Sequence, residues 1–191
     1  MKLNKDQQKE LFYTIRIKVE KAGYKLKSNT IYVVKKDCLI HCDFLVVDSK
    51  KIIYRIYIKA YSYDDIFWDI LHMPDNSKKS DSLRACGAFK APSVLIKKDE
   101  VELTDKYDEL ADFLIEEISK NSNEFLSNYN VDDYVVNDEK GIDKEILQCL
   151  AYIHMNCSDK AKEIAKNAIC VGDKGRFENE DKGFFEWVIL F

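Results

Sequence analysis

The stretch that decides the fold is residues 30–63, TIYVVKKDCLIHCDFLVVDSKKIIYRIYIKAYSY. Apolar and polar residues alternate here with a period of two, and polar pairs interrupt the alternation at Lys36-Asp37 and around Ser49-Lys50-Lys51. Three β-rich runs separated by short polar turns read as an antiparallel meander over Thr30–Lys35, Cys38–Val47 and Ile52–Tyr63. The register follows from the faces. Cys38, Ile40, Cys42, Phe44 and Val46 share one side of the second run; Ile52, Tyr54, Ile56, Ile58 and Ala60 share one side of the third. Both sets cover the same core only if the loop between them has an odd number of residues, since a slip of one would turn every side chain over. The opposite side of the third run then carries Arg55, Tyr57, Lys59, Tyr61 and Tyr63, with His41 and Asp43 across from it.

Outward from the meander the pattern changes to helices. Leu11, Phe12, Ile15, Val19 and Ala22 recur at helical spacing within residues 5–22, and Gly23 supplies the stop. After the meander a short helix is predicted over Asp65–His72, capped by Ser62 or Asp64, then a loop over residues 74–82. Ser82–Phe89 fits no single pattern. Val94–Ile96 and Val101–Leu103 suggest a hairpin turning at Lys97-Lys98-Asp99. A long helix follows, opened by Thr104 or Asp105, with Tyr107, Leu110, Ala111, Leu114 and Ile118 on its apolar stripe and a break expected near Asn121-Ser122-Asn123. Residues 130–141 mark a boundary before two further helices, at 142–156 and, with Ser158 as N-cap, at 159–171, where Ala161, Ala165 and Ala168 permit close packing. Residues 184–191 fit either a helix or a buried strand. The expected fold class is α+β: an antiparallel meander with an N-terminal helix and a long following helix over 1–130, and a C-terminal α-helical hairpin over 142–191.

Composition bounds the function. The 191 residues are 46% hydrophobic and 34% charged, with net charge −4, which is ample for a core and excludes disorder as a description of the whole chain. The N-terminal MKLNKDQQKELF mixes charged and apolar residues too finely for a signal-peptide core, and no apolar run approaches the ~20 residues of a membrane span, so a cytoplasmic protein is expected. The six cysteines are then expected to be reduced and mostly buried.

Searches for chemistry give little. Cys38 and Cys42 on a strand stand about 13 Å apart at ~3.3 Å per residue, with His41 facing the other way, a spacing no tetrahedral zinc site spans. Cys149 and Cys157 are two helical turns, about 12 Å, apart. Phosphate-loop, dinucleotide and zinc-protease motifs are absent, and Asp48-Ser49-Lys50, an acidic-x-Lys tripeptide of the kind found in metal-dependent nucleases, falls in a turn. Cys86, beside Arg84, is the one candidate nucleophile, giving a cysteine-dependent enzyme as one alternative. No metal and no cofactor are expected.

Charge is the informative signal. Residues 1–63 hold 14 Lys+Arg against 6 Asp+Glu, a balance of +8; residues 64–191 hold 16 against 28, a balance of −12. Asp105, Asp108, Glu109, Asp112 and Glu116 crowd the long helix beside one lysine, Lys106. Like charges at i,i+4 oppose an isolated helix by a few tenths of a kcal/mol each, which makes this row a candidate docking surface for a basic protein partner. A second candidate face, Arg55, Tyr57, Lys59 and Tyr61, has the cations and rings to stack unpaired bases and neutralise phosphates.

The segment Ala22-Gly23-Tyr24-Lys25-Leu26-Lys27-Ser28-Asn29-Thr30-Ile31-Tyr32, behind an amphipathic helix, resembles the Gly-aromatic-Lys, Asn-Thr, aromatic opening of bacterial domain-of-unknown-function families, some of them immunity-type proteins found near polymorphic-toxin systems. The order of helix, meander, long helix and helical tail is similar as well. The resemblance implies a small cytoplasmic bacterial protein that works by binding, and it brings no catalytic residues with it.

Overall fold

A computed structural model describes residues 4–137, 141 and 143–191. The first three residues, residues 138–140 of the expected boundary segment, and Ile142 at the start of one expected helix lie outside the described residues. The chain is α+β. A five-stranded sheet in the order β1-β2-β3-β4-β5 is formed by β1 (Lys25–Lys27), β2 (Thr30–Lys35), β3 (Cys38–Val47), β4 (Lys51–Ala60) and β5 (Val94–Glu102).

The chain divides into two compact units, Met1–Ile58 with Leu95–Asn128, and Lys59–Val94 with Tyr129–Phe191. Residues 59–94, part of the body 1–130 in the sequence reading, thus group with the C-terminal helices.

In the first unit, α1 (Lys5–Lys21) opens on a capping box. Asn4 Oδ1 accepts the amides of Asp6 and Gln7, and the Gln7 side chain accepts that of Asn4. It closes through Gly23, at φ +84°, with the Tyr24 amide bonded to the Val19 carbonyl. The β2–β3 turn has Lys36 and Asp37 both at positive φ, the geometry a two-residue hairpin requires, and three residues, 48–50, link β3 to β4. That odd number puts Phe44 and Tyr54 on one face, where Phe12 of α1 and Phe113 of α4 (Tyr107–Asn128) pack against them. Ile40, Cys42, Ile52, Ile56 and Ile58 fill the same face and are essentially buried.

Two expectations are corrected here. Residues 94–102 form one strand, not a hairpin, because the segment pairs with β4 in the sheet rather than with itself; Lys97 pairs with Asp99 (2.9 Å), and Glu100 with Lys51 of β4 (2.6 Å). The long helix runs unbroken to Asn128. Asn121 Nδ2 donates to the Glu117 carbonyl and Ser122 Oγ to that of Ser119, so polar side chains bond back onto their own helix rather than ending it.

The second unit is helical: α2 (Tyr63–Ile70), a 3₁₀ turn (Pro74–Lys78), α3 (Asp81–Cys86), α5 (Val131–Asn137), α6 (Lys144–His154), α7 (Ser158–Cys170) and α8 (Phe184–Leu190), with a small hairpin of β6 (Glu178–Asn179) and β7 (Lys182–Gly183). Asp132 of α5 joins three helices, accepting from Tyr63 Oη (2.8 Å) and pairing with His154 Nδ1 (2.9 Å). Ala161, Ala165 and Ala168 are buried where α7 packs on α6 and α8. Ser158 is the first helical residue of α7 rather than its cap. Residues 184–190 are a helix, with Phe184, Trp187 and Val188 on its buried side and the Glu186 carboxylate accepting the Gly183 amide.

Candidate functional site

The acidic row lies on α4, within the first unit. The helix begins at Tyr107, so Asp105 precedes it; Asp108, Glu109, Asp112 and Glu116 stand on its outer side, opposite the buried stripe of Leu110, Ala111, Leu114 and Ile118. Their exposure is high, with side-chain values of 75% for Asp108, 69% for Glu109 and 54% for Asp112. The row is not bare. Lys18 of α1 reaches across with its ammonium 2.8 Å from Asp112 and 3.4 Å from Asp108, and Lys106 lies 2.9 Å from Glu109. The hydrogen bond to Asp112 holds Lys18 above the ordinary lysine pKa, and that to Glu109 does the same for Lys106. Glu117, one residue further on, turns inward and accepts the Tyr54 hydroxyl (3.0 Å); burial, and after it this carboxylate, lift that phenol well above its ordinary range.

The opposite charge of the two sequence segments does not survive as a separation in space. The first unit holds 17 Lys+Arg and 16 Asp+Glu, because the lysine-rich N-terminal segment and the acidic helix fold into it together. The row on α4 is a local feature of a nearly neutral unit.

The second candidate face is dispersed. Arg55 is exposed and Tyr57 half-buried, its ring stacked on His41 at 4.8 Å between centroids. Lys59, by contrast, is fully buried, and Tyr61 is half-buried with its hydroxyl on Asp81 (2.8 Å). Lys59 points inward because a carboxylate waits for it there. Its Nζ lies 2.8 Å from both oxygens of Asp64, also fully buried, and donates to the carbonyls of Arg84 (3.1 Å) and Ala91 (2.9 Å). Burial outweighs the nearby carboxylate and lowers Lys59 to about 8; burial likewise raises Asp64. The Lys-x4-Asp spacing across a strand end and a helix start was the available signal, and it is too common to single out in a sequence.

The cysteines are all free. Cys38, Cys42 and Cys149 are buried, Cys157 is half-buried, and Cys86 and Cys170 are exposed, so burial covers fewer thiols than expected. Desolvation pushes Cys42 and Cys149 up to about 12. Cys86 ends α3, its thiol donating to the Ser82 carbonyl (3.1 Å). Among the described residues no three His, Cys, Asp or Glu side chains cluster in a way that would hold a metal ion. Mild alkylation of the native protein, read by peptide mass, is expected to modify Cys86 and Cys170 first and to leave Cys38, Cys42 and Cys149 intact until the chain unfolds. Native labelling of Cys42 as fast as Cys170 would contradict this packing.

No family model matches the chain, and comparison with curated proteins and with solved structures gives no match either. Among the described residues no helix is long and apolar enough to cross a membrane.

Proposed function

We propose that the chain is a cytoplasmic bacterial interaction protein of the immunity type, acting by recognition rather than bond-making, and that it takes a basic protein partner on the outer side of α4. The observation that supports this reading is the exposure of Asp108, Glu109 and Asp112 within little more than one turn of a 22-residue helix. An anionic row on a well-packed helix raises the encounter rate with a cationic surface and fixes its register, and it loses little conformational freedom on binding. Asp105 and Glu116 extend the row at either end. Lys18 occupies the side nearest α1 and acts as an internal competitor for Asp108 and Asp112.

The test uses both signs of charge change. Immobilised wild-type protein is compared with a variant carrying Asp108→Lys, Glu109→Lys, Asp112→Lys and Glu116→Lys for capture of basic proteins from bacterial cytosol at low salt. Capture is expected to vanish in the variant while its circular dichroism is unchanged, and Lys18→Gln, which uncovers two carboxylates, is expected to strengthen capture. Equal capture by wild type and the four-lysine variant would remove α4 from the binding surface.

A further inference from the structure

Residues 81–91 cross the second unit with little apolar anchorage. Of their side chains only those of Arg84 and Ala85 and the methyl of Ala91 are buried; Phe89 is 38% exposed. What holds them is polar. Lys59 donates to the carbonyls of Arg84 and Ala91, Asp64 accepts the Ala91 amide (2.8 Å), and Trp68 Nε1 donates to the Phe89 carbonyl (2.6 Å). The Arg84 guanidinium donates to Asp65 (2.7 Å) and the Tyr61 carbonyl (3.3 Å) and lies over the rings of Tyr61 (4.1 Å) and Trp68 (4.8 Å). Its Nε is buried with no hydrogen-bond partner among the described residues. Beneath the segment lies a charge pair with both members at 0% exposure, Lys59 and Asp64.

We propose that residues 81–91 are a strap that opens as a unit, hydrating the Lys59–Asp64 pair and Trp68 beneath it while α2 and α6 stay folded. Two terms favour opening. Both charges regain water, whose loss is the main penalty of a buried ion pair, and few apolar side chains become exposed with them. Opposing it are the hydrogen bonds just named, most of them made by Lys59, Asp64 and Arg84, so the strap leaves its seat all together or not at all.

A dependence on pH follows, with the charged groups around Lys59 being Asp64 and Asp65 on α2, Arg84 on α3 and Lys90 in the strap. The closed strap binds the Lys59 proton less tightly than the open one, where the amine returns from about 8 toward 10.5. Above pH 8 opening takes a proton up at Lys59, so raising the pH through this window disfavours opening.

Hydrogen exchange of the whole chain, read by mass spectrometry and corrected for intrinsic rates, tests the proposal. At pH 7 peptides spanning 81–91 should exchange through an opening far more frequent than that of α6, and at pH 9 that opening should be rarer by several-fold. Asp65→Asn, which removes the carboxylate partner of Arg84 and sits at a half-exposed position, should raise the exchange of 81–91 by about tenfold, the scale of one hydrogen bond to a charged group, and leave α6 unchanged. Exchange of 81–91 only at the rate of α6, in wild type and in Asp65→Asn alike, would overturn the strap, as would an opening that becomes more frequent toward pH 9.

Discussion

Lys59→Met is expected to destabilise the protein by ~3–5 kcal/mol at neutral pH, the usual consequence of leaving a buried charge without its counterion. The methionine fits the volume but supplies none of the hydrogen bonds that Lys59 gives to Asp64, Arg84 and Ala91. Among the described residues Asp64 would keep only the Ala91 amide as a hydrogen-bond partner, at 2.8 Å. Urea denaturation across a pH series measures both the loss and its cause. With the cation gone, Asp64 has a folded-state pKa still further above its unfolded value of 3.8, so the penalty is largest at neutral pH and shrinks in acid as the carboxyl takes up a proton. The wild type behaves oppositely on the alkaline side. Between about 8 and 9 the unfolded chain holds the Lys59 proton and the native chain does not, so stability rises with pH across that window. Above pH 9 the rise is cut off, because burial raises the thiols of Cys42 and Cys149 to about 12, and above pH 10 the phenols of Tyr24, Tyr54, Tyr57 and Tyr61 add to it, so the unfolded chain ionises first. A Lys59→Met variant as stable as wild type at pH 7, or a wild type whose stability falls steadily from pH 8, would contradict this account of the pair.

Gly183→Ala is expected to cost ~1–3 kcal/mol, the range for forcing a methyl into a filled space. A Cβ at position 183 would lie 2.2 Å from the Lys174 carbonyl oxygen and 2.6 Å from the Lys174 Cβ. That carbonyl accepts the Phe185 amide (3.1 Å), so making room for the methyl also stretches a bond at the start of α8. Gly172→Ala serves as a contrast. It is strained by its φ of +86° but meets nothing within 4 Å, so its loss comes from backbone conformation alone. Thermal melts in which both variants match wild type would mean that the 174–183 approach is looser than described.

The sheet was legible because its information is local. The two-residue turn at Lys36-Asp37 and the three residues 48–50 set the register of three strands, and the alternation then names the buried face. The helical elements were legible wherever an apolar stripe met a stop such as Gly23. What could not be read depends on partners far along the chain. β5 is a strand because it joins the sheet beside β4, though its centre is as hydrophilic as a turn. Lys59 looked like an exposed cation because period-two reasoning ends where β4 runs into α2, and only folding brings Asp64 and the carbonyls of Arg84 and Ala91 around it. The acidic row on α4 was visible, but its neutralisation by Lys18, 90 and 94 positions earlier, was not. Charge summed along a sequence measures neighbours in the chain, whereas electrostatics depends on neighbours in space.

The sheet is open, and its two margins are β1 and β5. β1 offers only three residues, two of them exposed lysines, and β5 carries Lys97, Lys98, Asp99, Glu100 and Glu102 along its length. A flat apolar border would recruit another molecule's strand, while a stub of lysines on one side and a mixed-sign fringe on the other repel or misalign it. Concentrated solutions of the protein should therefore resist fibril growth, and neutralising the fringe of β5 is the shortest route to losing that protection.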